Sequence, residues 1–198
     1  MKMQRIVRFL GISLMAVGFV LVLLNGYKYE KGINAEKPAP KGTATKASST
    51  PSKTAAAIYL RQPTKVGENI GELIIPKLNA SLPIYHGTNE EELEKGVGHY
   101  AGSVLPGEPD NCVLAGHRDT VFRKLGEVGK GDLLIVKTVA GEFTYKVRKV
   151  RIVDADDRTV IVPKPKATLT VSTCYPFNYI GAAPKRYILV ANLVEARN

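Results

Sequence analysis

Apolar and polar residues follow three different patterns along this chain. From Phe9 to Leu24 the residues FLGISLMAVGFVLVLL carry no charge, a run that can span a bilayer if Ile6 and Val7 extend it and Arg8 snorkels to the interface. From about Glu30 to Ala57 large apolar side chains nearly vanish, and Lys, Ala, Pro, Ser and Thr predominate; such a segment buries too little to offset the entropy of ordering. Beyond Ile58 apolar residues return in short alternating runs cut by Gly, Pro and Asn, which is the period of strands. The pattern predicts an N-terminal anchor with its cytoplasmic flank over 1–29, a flexible extracellular tether over 30–57 and one folded domain over 58–198.

Within that domain the runs predict strands at Gly71–Ile75, Ser81–Tyr85, Cys112–Ala115, Asp132–Thr138, Glu142–Asp154, Thr159–Pro163, Ala167–Thr173 and Arg186–Leu193. Leu133–Thr138 and Glu142–Val150 flank Val139-Ala140-Gly141 and read as a hairpin, since both flanks alternate and the turn holds a glycine. Helix is expected only at Asn89–Lys95, where Asn89 can cap and acids fill the first turn, and in a short turn near Thr120–Leu125. Eight short strands with little helix predict a mostly β, closed or nearly closed barrel.

Charge changes the picture only through its location. The chain of 198 residues has a formal net charge of +10. Residues 1–57 contain nine Lys/Arg against two acids, leaving 19 against 16 in the remainder. The excess therefore sits on the anchor and tether, where Lys2, Arg5 and Arg8 before the apolar run set the N-terminus in the cytoplasm and the domain outside. The folded part is nearly balanced and has no basic cluster interleaved with aromatics, which argues against nucleic-acid binding. A cleaved signal peptide is the competing reading of the run. It would show a shorter apolar region and a small-x-small site, whereas Asn25-Gly26-Tyr27-Lys28-Tyr29 follows here.

Candidate chemistry gathers at strand ends. Cys112 lies in NCVLAG among apolar strand residues, the setting of a buried, inert thiol. Cys174 ends the alternating run ATLTVSTC and is followed by Tyr-Pro-Phe-Asn, where proline stops further pairing, so its thiol is accessible. His117 closes NCVLAGH, and Arg186 opens the last strand twelve residues after Cys174. A loop between Cys174 and Arg186 sets both at one edge of adjacent strands. A thiolate can attack a carbonyl, an imidazole can shuttle a proton to the leaving amine, and a fork-shaped guanidinium can stabilise the oxyanion. A Cys112–Cys174 disulfide is the alternative, because bridges persist outside the cell.

The LAGHRDT segment at His117, the STC strand end at Cys174 followed by YPF, and the basic residue in GAAPKRYILVANL resemble the His, TLxTC and Arg motifs of the sortases, the cell-wall cysteine transpeptidases of Gram-positive bacteria. The resemblance runs from about Gly71 to Leu193. One departure is Thr170-Val171-Ser172-Thr173-Cys174, with Val for the motif leucine. The stretch TCYPF-x-YIG-x-APKRY, with no C-terminal anchor, looks most like class D. The resemblance implies an eight-stranded sortase barrel that cleaves an LPxTG-like sorting signal after its Thr, holds the product as a thioester and passes it to an amine of peptidoglycan or its precursor. By the same resemblance Cys174 is the nucleophile, His117 the general acid/base, Arg186 the oxyanion stabiliser, and Thr173 a group that positions substrate or its oxyanion. The implied partners are surface proteins bearing such a signal, and the expected form is a membrane-anchored monomer.

Other residues are weaker candidates. His86 begins a turn and His99 sits in the glycine-rich GVGHYAGS, which looks like a loop shared with the sortases. Glu90, Glu91, Glu92 and Glu94 form a helical acidic run without oxygen ligands at the loop spacing of a calcium site, and Asp154, Asp156 and Asp157, in a loop, are a second, weaker calcium candidate. No metal or cofactor is expected. Two further function classes stay open: a hydrolytic cysteine peptidase, which gives the acyl group to water, and a non-catalytic wall-binding module with bridged cysteines.

Overall fold

Every second residue of the apolar runs ends up inside. Leu73 and Ile75, Leu82 and Ile84, Leu134 and Val136, Phe143, Tyr145 and Val147, Leu169 and Val171, and Leu189 and Ala191 are buried in one continuous core. Because side chains alternate across a strand, they define the inner face of a closed sheet. The computed structural model describes residues 14–23, 37–38, 59, 62–63, 65–178 and 181–197.

Among these, eight strands make the barrel: β1 (Asn69–Ile75), β2 (Ala80–His86), β3 (Val97–His99), β4 (Asn111–Ala115), β5 (Leu133–Thr138), β6 (Gly141–Asp154), β7 (Thr168–Tyr175) and β8 (Lys185–Arg197). Their order is β2-β1-β5-β6-β8-β7-β4-β3, and parallel pairing of β3 with β2, His86 opposite His99, closes the sheet. β4 and β7 are also parallel, with Ala115 opposite Ser172. The expected hairpin is β5–β6, with Thr138 opposite Gly141. The expected helix is a single turn, Glu90–Leu93, in which Asn89 and Glu92 form a reciprocal capping box. Near the second expected turn the chain forms a 3-10 helix at Leu125–Glu127.

Two strand expectations are corrected. Thr159–Pro163 is not a strand: the Asn111 side chain donates to the carbonyls of Val160 and Val162, and Pro163 has no N–H to offer a neighbour. The glycine-rich segment read as a loop instead supplies β3, which closes the barrel. A Cβ at Gly96 would lie 2.5 Å from the Pro83 carbonyl oxygen, and one at Gly98 2.5 Å from that of Gly87. Glycine here marks close backbone approach, which composition cannot distinguish from flexibility.

Residues 14–23 are helical and exposed. Among the described residues no helix is long and apolar enough to cross a membrane. Residues 9–13 and 24 of the expected span lie outside them. Within the segment expected as tether, Lys37–Pro38 pairs antiparallel with Ser81 and Ala80 of β2.

Candidate active site

Parallel pairing of β4 and β7 sends both chains out of the sheet at the same edge. Gly116 still donates to the Ser172 carbonyl at 3.2 Å. Its own carbonyl accepts the Thr173 hydroxyl at 2.7 Å, so a side chain extends the ladder by one rung. Only glycine fits there, because a Cβ at 116 would come within 2.7 Å of the Phe122 ring. Immediately beyond this link stand His117 on one chain and Cys174 on the other. β8 then returns antiparallel to β7 with Arg186 directly opposite Cys174. Three strand ends thus bring Cys174, His117 and Arg186 to one rim, in the arrangement expected from their spacing.

The side chains alternate here as well. Leu169, Val171 and Thr173 point inward, which turns Thr170, Ser172 and Cys174 to the outer face, and on β8 Tyr187 and Leu189 point inward while Arg186 shares the outer face with Ile188 and Val190. The segment after β6 covers the other end of this outer face: Val160 packs on Ile188 and Val190. The face is closed around Asn111 and Thr170, whose hydroxyl donates to the Asn111 carbonyl oxygen at 2.7 Å, and open at Cys174. A cleft of about 350 Å³ lies at the covered end, lined by Ala101, Ser103, Asn111 and Ile161 among others.

The two thiols differ as expected, and both are free. Cys112 is fully buried, and desolvation pushes its thiol far above the ordinary range. Cys174 is half-buried. Cys112 lies opposite Leu169, five residues before Cys174, so the two are about 16 Å apart along the strands, well beyond the ~7 Å a disulfide can bridge. The bridged wall-binding module is therefore excluded.

His117 keeps about a third of its side chain exposed, and Nε2 lies 3.6 Å from Glu90 Oε1. Glu90 is mostly in solvent, so this contact orients the ring only weakly. Arg186 Nη1 donates to the carbonyls of Ala183 and Lys185 at 3.2 and 3.0 Å, holding the guanidinium along the loop before β8. Thr173 is buried and its proton is committed to Gly116.

Several contributors were not legible as such. Arg118, next to His117, is buried and donates to the carbonyls of Pro176 and Gly181. Phe177 stands edge-on to Tyr175 and Tyr187. His86 and His99 are stacked with Nδ1 atoms 3.1 Å apart. His99 Nε2 faces the Val104 carbonyl at 3.0 Å and must carry the proton there, which leaves its Nδ1 to accept from His86. The acidic groups have structural uses: Glu92 caps Asn89, and Asp157 accepts from Thr159 and pairs with Arg151.

A barrel with Cys, His and Arg on one rim defines a class, and comparison with known proteins defines the same one. Residues 73–194 match the sortase domain family model, and the chain belongs to the sortase family of cysteine transpeptidases. It is 42% identical to sortase D of Bacillus subtilis (strain 168) over 92% of this chain and 96% of that protein, and 26% identical to sortase A of Bacillus anthracis over 100% and 99%. Among solved structures it resembles the catalytic domain of B. anthracis SrtD, with a TM-score of 0.59 and 41% identity over 72% of this chain and 98% of that one. It also resembles the Clostridium perfringens sortase D5 transpeptidase, with a TM-score of 0.61 and 28% identity over 66% and 82%.

Proposed function

We propose that this transpeptidase cleaves an LPxTG-like sorting signal after its Thr and transfers the surface protein to an amine of peptidoglycan or its precursor, with Cys174 as nucleophile, His117 as general acid/base and Arg186 as oxyanion stabiliser. The supporting observation is the direct pairing of Cys174 with Arg186 across β7 and β8, one residue past the Thr173–Gly116 link that brings the His117 turn alongside.

The Cys174 thiolate adds to the Thr carbonyl carbon, and charge builds on the carbonyl oxygen, where the permanently charged Arg186 fork donates. His117 in its imidazolium form gives a proton to the departing amine, and the C–N bond breaks to leave a thioester. An incoming amine then attacks the thioester, loses its proton to His117 and releases the thiolate. Thr173 serves by holding Gly116, since its proton is already donated there.

The remaining assignments follow from the sequence pattern: residues 1–29 carry a signal-anchor with its N-terminus in the cytoplasm, 30–57 tether the enzyme to the outer surface, and 58–198 form the catalytic domain; the resemblance adds that it acts as a monomer. The test is mass spectrometry of the full-length chain in detergent with sorting-signal peptides, with and without an added amine. A thioester on Cys174 and an amide product that appears only with the amine are expected. Hydrolysed product alone, at every amine concentration, would assign the chain to peptide hydrolysis instead.

A further inference from the structure

Arg118 follows His117 in the sequence, yet it is only 8% exposed, an unusual place for a guanidinium. Nη1 donates to the Pro176 carbonyl at 3.0 Å and Nη2 to the Gly181 carbonyl at 2.7 Å. These carbonyls belong to the segment that leaves the sheet after Cys174 and returns to it at Arg186. The same segment is held from another side by Phe177, which packs against Tyr175 and Tyr187 and so close to Gly126 that a Cβ there would meet its ring at 2.7 Å. Two links therefore join the His117 turn to the Cys174 strand and its loop: Thr173 to Gly116 just before the reacting residues, and Arg118 to Pro176 and Gly181 just after them.

We propose that Arg118 is a positioning residue for acyl transfer, clamping the backbone at Pro176 and at Gly181 so that Cys174 and Arg186 stand in fixed register with His117. The proposal rests on the assignment of those three residues as the reacting set. Arg118 acts through the backbone carbonyls it holds. Its planar fork matters because one rigid group holds two carbonyls five residues apart in the chain, whereas a lysine ammonium offers one compact point. Loosening either carbonyl frees the segment on which the nucleophile and the oxyanion donor both depend, and a misplacement of about 1 Å in such a set lowers the rate about 100-fold. The effect belongs to kcat, because the loop's contribution to simple substrate binding is not what the clamp secures.

The experiment compares Arg118→Gln, Arg118→Lys and the exposed neighbour Lys124→Ala in the full-length chain, reading kcat and KM separately for transfer of a sorting-signal peptide to an amine, alongside thermal melting. Arg118→Gln should lose roughly 10- to 100-fold in kcat with KM little changed, Arg118→Lys should recover part of it, and Lys124→Ala should match the parent. Guanidinium ion added at low millimolar concentration to Arg118→Ala should restore activity, whereas methylammonium should not. A parent-like kcat in Arg118→Gln, or a loss confined to KM, overturns the proposal. If Arg118→Gln does not fold, Arg118→Lys decides, and a parent-like kcat there overturns it equally. Cys174→Ala is run in parallel: continued acylation in that variant would remove the underlying assignment, whereas an inactive Cys174→Ala beside a fully active Arg118→Gln removes only the role of Arg118.

Discussion

The barrel holds one cysteine and one histidine inside, Cys112 and His99, and one of each at its rim, Cys174 and His117. The inner residues are fully buried; the rim residues are partly exposed. Desolvation disfavours the charged form of each inner group, raising the Cys112 thiol and lowering His99 to about 4, so neither can exchange protons usefully near neutrality. The rim pair has the same functional groups on the same sheet, two and five residues further along their strands than Ala115 and Leu169, respectively. Position along a strand and the side it faces, rather than residue type, decide which thiol can work. In β7 Thr173 and Tyr175 keep the inward parity, and Cys174 between them takes the outer face, two residues past the last rung shared with β4.

The largest effect that can break this comparison is at the thiols. Cys174→Ala should abolish the acyl-enzyme, while Cys112→Ala should keep the chemistry and lower stability by about 1 kcal/mol, as for a small core truncation. Intact mass after incubation with a sorting-signal peptide reads the first and denaturant unfolding the second. A thioester surviving in the Cys174 variant would show that the rim thiol is not the nucleophile.

Much of this contrast was legible before the structure, because it depends on local features. NCVLAG is apolar throughout, and TCYPF ends a strand by placing a proline after it. The register Cys174 opposite Arg186 was also predictable, since one loop joins two alternating runs. What could not be read depends on contacts remote in sequence. Val97–His99 is a strand because it pairs with β2 on one side and β4 on the other, with Gly96 set against Pro83 of β2 and Gly98 against the Gly87 carbonyl. Thr159–Pro163 alternates like a strand, but its carbonyls are taken by Asn111, about fifty residues away. Arg118 in LAGHRDT looks like any polar turn residue, and its burial is decided by carbonyls 58 and 63 residues away.

Arg186 gives the next largest effect. An oxyanion donor contributes most when charge is on the scissile carbonyl, so in the role proposed for it Arg186→Ala should depress kcat more than it raises KM, by about 10²–10³, the range seen for a lost oxyanion donor. Arg186→Lys keeps the charge without the fork and should recover only part. Equal losses in kcat and substrate affinity would instead make Arg186 a binding group.

His99 sharpens the inner half of the comparison through pH. Its folded-state value, about 4, lies below the unfolded value of 6.5, so the unfolded chain binds the extra proton first as pH falls. The contribution of neutral His99 is complete above pH 6.5 and is lost between there and about 4, on the order of 3 kcal/mol in total. Protonation also takes away the acceptor that His86 uses. Unfolding free energies of His99→Gln should show a flatter slope over this window than the parent. Parallel slopes would mean that the buried imidazole is not what titrates.

The smallest expected effect tests the register at the rim. Lys185 adjoins Arg186 on β8, lies opposite Tyr175 and Asp154, and is exposed, whereas Arg186 lies opposite Cys174 and Val153. Successive side chains turn to opposite faces, so Lys185 belongs with the parity of Tyr187, exposed at the start of the strand, and Arg186 with the outer face that carries Cys174. Lys185→Ala should therefore leave kcat/KM within about twofold of the parent, the range expected of a surface change of less than ~0.5 kcal/mol. The measurement is most useful beside Arg186→Ala on the same peptide and amine. If the lysine variant were crippled and the arginine variant active, β8 would have to be shifted by one residue against β7, and the cation facing the nucleophile would be Lys185.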